Sequence, residues 1–136
     1  MKNLLLSLAL PTSLLLSAHA VANVANKPNS CPNVSSIQSV GLSHATIVPV
    51  EGGWAAVLMD QKYNTDDTWT FFILPEANSS KEAYTQAVKG LTSLHFVDGP
   101  VNAYADKWFC IYGTKEGYRA ATMTRFDGNF KNYTAF

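Results

Sequence analysis

The sequence predicts an α+β domain: an antiparallel sheet of five to six strands with one helix packed across it, in the order βββαβββ. Three observations carry this reading. Short runs rich in β-branched and aromatic residues alternate in character every second position and are separated by turn residues. A single stretch in the middle of the chain changes to helical periodicity behind a capping box. The two cysteines, Cys31 and Cys110, lie at opposite ends of this pattern and can close it with one bridge.

The first strand is the β-branched run His44–Val50; Pro49 lacks an N–H, so the strand either lies at a sheet edge or ends there. Glu51-Gly52-Gly53 is a turn, and Trp54–Tyr63 is the second strand. Asn64-Thr65-Asp66-Asp67 turns the chain again into the third, Thr68–Pro75. There Trp69, Phe71 and Ile73 share one face and Thr70, Phe72 and Leu74 the other. Bulk on both faces predicts a central strand covered on both sides. Ser79-Ser80-Lys81-Glu82 then opens a helix from about Ser80 to Leu94, with Ala83, Ala87, Leu91 and Leu94 in one stripe flanked by Tyr84 and Val88. Small residues Ala83, Ala87 and Gly90 let this helix lie close to the sheet. His95-Phe96-Val97, Asp98-Gly99-Pro100 and the short run from Val101 lead to the strand Lys107–Gly113. In that strand Trp108, Cys110 and Tyr112 oppose Phe109 and Ile111. Thr114-Lys115-Glu116-Gly117 makes a hairpin into Tyr118–Phe126. The last ten residues are polar and aromatic without periodicity.

Residues 1–20 read as a signal peptide: Lys2, an apolar stretch of about 14 residues interrupted by Pro11, and Ala18-His19-Ala20 as a cleavage pattern. The stretch is shorter than the roughly 20 residues of a membrane span. Cleavage would leave a polar arm, 21–33, and one domain, 34–136, exported to the periplasm or the medium. In an oxidising compartment the only two cysteines, Cys31 and Cys110, are expected to pair. Closing a loop of about 80 residues would stabilise the fold by roughly 4.5 kcal/mol in the chain-entropy model.

Without Lys2 the chain carries nine basic and ten acidic residues and no basic run, which argues against a nucleic-acid partner. There is no H-E-x-x-H, Gly-rich phosphate loop, calcium loop or G-x-S-x-G elbow. Catalytic residues and a structural metal are therefore not assigned. Asp66-Asp67 could attract a cation, although a solvated turn is the ordinary reading. The aromatic load is high, with three Trp, six Tyr and seven Phe, and exceeds what a small core holds with every hydroxyl satisfied. Candidate ligand-binding residues are His44, His95, Tyr112, Tyr118, Arg119 and Arg125. The histidines suit a metal or haem iron if they face each other. The tyrosines suit a protein surface, a sugar or a flat ligand. Arg119 and Arg125 fall on one strand face beside Met123 and suit a carboxylate or a propionate. The function expected is a non-enzymatic binding or interaction module, with a small-ligand carrier for haem as one alternative and a hydrolase as another.

The leader, Cys31-Pro32-Asn33 behind it, the strand from Thr68 to Phe72 and the strand from Lys107 to Thr114 together resemble a group of short exported proteins of unknown function known chiefly from Legionella. That resemblance implies export and raises haemin as a ligand; it supplies no ligand residues, and no C-x-x-C-H is present. The strand–helix order is also similar to the Mog1/PsbP-like sandwich, without its last helix.

Overall fold

The computed structural model describes residues 26–104 and 106–128, with the backbone alone for 103 and 104. The leader, the start of the arm and the tail beyond 128 lie outside the described residues. The elements run α1 (Val34–Val40), β1 (Thr46–Val50), β2 (Gly53–Gln61), β3 (Trp69–Leu74), α2 (Ser80–Thr92), β4 (His95–Tyr104), β5 (Lys107–Gly113) and β6 (Arg119–Thr124). All six strands join one antiparallel sheet in the order β1-β2-β3-β6-β5-β4. Each half of the chain is thus a helix followed by a three-stranded meander, and the halves meet where β3 pairs with β6.

The predicted α+β class and antiparallel sheet are present, but with two helices instead of one. The additional helix, α1, has seven residues, with Asn33 as its N-cap accepting from the Ser36 N–H. It buries only Ile37 and has no charged residue in either end turn, so it lacks a helical stripe long enough to be visible in sequence. A second difference is β4. His95-Phe96-Val97 and Asp98-Gly99-Pro100 are expected only as a lead toward the next strand, yet one strand runs through them with shifts of register on both sides of Asp98. β4 can hold Pro100 because it is an edge strand, where a missing donor breaks no second ladder. Gly99 has φ +130°, and a Cβ there would lie 2.7 Å from the Phe109 carbonyl oxygen and 2.8 Å from the Cys110 Cα. Only glycine fits this conformation and this approach.

The β3 alternation is as the sequence implies. Trp69, Phe71 and Ile73 join a core with Ile37, Ala87, Leu91 and Tyr112 on the helix side. Phe72 joins Ala55, Val57, Phe109, Ala121 and Met123 on the opposite side. β3 and β6 are the two innermost strands, and both of their faces are buried. The capping box also forms. Ser79 Oγ accepts from the Glu82 N–H at 3.1 Å, and a Glu82 carboxylate oxygen reaches back to the Asn78 N–H at 2.9 Å. At Gly90 a Cβ would meet Tyr118 Cδ2 at 2.9 Å and Ile73 Cδ1 at 3.0 Å, so glycine lets α2 sit directly on the sheet.

Cys31 and Cys110 form a disulfide spanning 79 residues of sequence. Cys110 is fully buried on β5, so the bond fastens the segment preceding α1 to the helix-side core. Tyr112, two residues on, reinforces this by donating its hydroxyl proton to the Pro32 carbonyl. Among the described residues no helix is long and apolar enough to cross a membrane.

Candidate functional site

Three connections converge at one end of the sheet: the β1–β2 turn, the loop from β3 to α2, and the β5–β6 hairpin. Between them lies a cleft of ≈ 590 Å³. Glu51 and Trp54 stand on the first wall, Pro75, Glu76 and Asn78 form the floor, and Tyr118 and Arg119 stand on the second wall. Trp54 alternates with Ala56 and so belongs to the helix-side face, as does Tyr118, which packs against that core. Arg119 pairs in register with Leu74, which belongs to the other face.

The second wall is held by polar contacts that the hairpin sequence provides. The Gly117 N–H closes the turn on the Thr114 carbonyl at 3.0 Å, and the Tyr118 N–H donates to Thr114 Oγ1 at 2.9 Å. The Tyr118 hydroxyl donates to Gln86 Oε1 on α2 at 2.8 Å. Ser93, just beyond α2, donates to a Glu116 carboxylate oxygen at 2.7 Å and accepts from the Lys115 N–H at 3.0 Å. The Ser93 hydrogen bond keeps the Glu116 carboxyl below its usual pKa. The floor is fixed by the α2 capping box. The cleft therefore has a preformed frame. Glu51, Glu76 and Arg119, by contrast, are exposed and form no ion pair among the described residues.

Of the six residues singled out in the sequence, only Tyr118 and Arg119 come together here. His44 is exposed in the α1–β1 connection beside one sheet edge. His95 opens β4 at the other edge, with its ring over Gly113. Five strand spacings separate those edges, about 24 Å along the sheet. The fold does not make a site from the two histidines. Tyr112 is 2 % exposed and serves the core. Burial pushes its pKa up to about 12, while nearby Thr122 opposes the shift without making a hydrogen bond of ordinary geometry. Tyr63 is raised further, by burial and then by proximity to Tyr112, and its buried hydroxyl has no partner among the described residues.

The expected arginine face is also corrected. Arg119 and Arg125 flank opposite ends of β6, about 20 Å apart along an extended chain. Ala121 and Met123 between them are buried, not solvated. Arg125 has left the strand with φ +54° and pairs with Asp106 at 2.8 Å, which holds that carboxyl below its usual range. It borders a smaller recess of ≈ 280 Å³ with Asp60, Asp67 and Thr70. Among the described residues no group of three or more His, Cys, Asp or Glu is placed to hold a metal.

Sequence reasoning did not group Glu51, Trp54, Glu76 and Asn78 with Tyr118 and Arg119. A signal was present: Glu51-Gly52-Gly53-Trp54 and Glu116-Gly117-Tyr118-Arg119 are both Glu-Gly turns leading into an aromatic residue at a strand start. Nothing in one dimension says that the two turns flank the same strand exit. No family model, curated protein or solved structure matches this chain.

Proposed function

We propose that this chain is an exported, non-enzymatic binding module whose ligand enters the cleft between the β1–β2 and β5–β6 turns. The observation that carries the reading is the combination of a fixed frame with Glu51, Glu76 and Arg119 at its mouth, none of them in an ion pair among the described residues. Charged groups with no ion pair among the described residues, beside a part-exposed indole, can engage a ligand without an internal ion pair being broken, at the cost of ordering their side chains. Among the described residues no Ser, Thr, Cys or His lines this cleft, and its one hydroxyl, that of Tyr118, is bonded to Gln86, which supports the non-enzymatic reading. The leader and the disulfide support export to an oxidising compartment.

Capture with the immobilised oxidised protein from periplasmic extract and culture fluid tests this reading. Wild type should retain a saturable ligand or partner that Arg119→Ala and Trp54→Ala release. Capture of nothing saturable, or turnover in a broad hydrolase screen that Glu76→Gln abolishes, would count against it.

A further inference from the structure

Resting on the cleft as the ligand site, we infer that its ligand is a neutral saccharide. The cleft has the volume of a small-molecule site, which generally falls between about 300 and 1,000 Å³. Its chemistry narrows the class. Glu51 and Glu76 oppose a phosphate or a polycarboxylate, and Arg119 opposes a simple amine. An apolar ligand would strand all three charges in a desolvated contact. Hydroxyl groups, which both donate and accept, satisfy carboxylates and a guanidinium at the same time without requiring a match of net charge.

The aromatic residues fit the same class. Trp54 is half-buried at the start of β2, outside the tight core that encloses Trp69. Its part-exposed indole lines the cleft and is the kind of ring that takes the C–H side of a sugar. Across the floor, Tyr118 has its hydroxyl already committed to Gln86, which leaves its ring as the wall. Asn78 adds a side-chain amide, with both donor and acceptor, to the floor. The site thus pairs aromatic rings with donors and acceptors on three separate chain segments, whose backbones are fixed by the β1–β2 pairing, the α2 caps and the β5–β6 hairpin.

A printed array of neutral and anionic glycans, probed with the oxidised protein and followed by calorimetry on the free oligosaccharides, tests the assignment. Neutral glycans should be retained saturably, with affinity little changed by salt. Trp54→Ala should weaken binding about tenfold while Trp54→Phe retains most of it. Glu76→Gln, at an exposed position outside the core, should also weaken binding with an unchanged melting temperature, and so keeps the test open if Trp54→Ala fails to fold. No retained glycan, or retention indifferent to both Trp54→Ala and Glu76→Gln, overturns the saccharide class. A salt-sensitive charged peptide held in the cleft overturns it too, yet leaves the binding-module reading standing. Cleavage of a bound glycan keeps the saccharide class and overturns the non-enzymatic reading.

Discussion

Tyr112 and Pro32 are joined across the interior: the phenol on β5 donates to a carbonyl 80 positions earlier in the chain, one residue from the disulfide. Covalent and hydrogen-bonded ties therefore hold the same short segment. Tyr112→Phe should cost about 1–3 kcal/mol, because the Pro32 carbonyl loses its donor in a buried setting. Tyr63→Phe removes a hydroxyl that has no partner among the described residues, and should be neutral or stabilising. Urea midpoints of the two variants against wild type decide this; equal losses would contradict it.

The same two phenols give a pH dependence with a definite sign. Their folded pKa values are raised above an unfolded value near 10, Tyr112 to about 12 and Tyr63 further. The folded state then holds protons that the unfolded state has released. The stabilisation is intact below about pH 10 and is lost as pH rises through the folded pKa values, by ~3 kcal/mol for Tyr112 alone. Ultraviolet titration should show two phenols ionising late, and Tyr112→Phe should flatten the fall in stability above pH 10.

Reduction, or the paired replacement Cys31→Ser with Cys110→Ser, should destabilise the protein by roughly 4.5 kcal/mol, the loop-closure value for 79 residues. Denaturant midpoints measure the loss. An intact-mass spectrum of the untreated protein should lie about two daltons below the reduced mass, the two hydrogens a disulfide lacks.

Gly99 and Gly90 are both in close quarters but differ in what can yield. At Gly99 the obstacles are backbone atoms and φ is +130°, so Gly99→Ala should cost more than about 3 kcal/mol or prevent folding. At Gly90 the obstacles are the Tyr118 ring and the end of Ile73. Better helix propensity offsets part of the overpacking there, so Gly90→Ala should cost about 1–2 kcal/mol. Thermal melts of both variants test the ranking.

Haemin titration provides a check on the histidines. With His44 and His95 at opposite sheet edges, any Soret change should be the same for wild type and for His44→Ala combined with His95→Ala. A band that requires both residues would contradict the placement.

Legibility differed by element for physical reasons. β5 was readable from Lys107 to Gly113 with its faces correct, because strict alternation of large side chains leaves one register. α2 was readable because its caps and its stripe agree. α1 was not: seven uncharged residues with one buried side chain carry almost no periodic signal. The arginine pair misled because alternation gives a shared face but does not say whether that face meets water. Tyr112 looked available for binding because its hydrophilic tip is visible in sequence while its distant acceptor at Pro32 is not. The cleft was invisible for the same reason, since its walls lie more than 60 residues apart.

The seam between β3 and β6 joins residues as distant as Trp69 and Thr124. Synthesis delivers the first meander long before its central neighbour exists. Until residues 119–124 arrive, the inner edge of β3 has nothing to zip to, and Cys31 waits for a sulfur that is still to be made. Completion is therefore a late event that needs nearly the whole thread in one place.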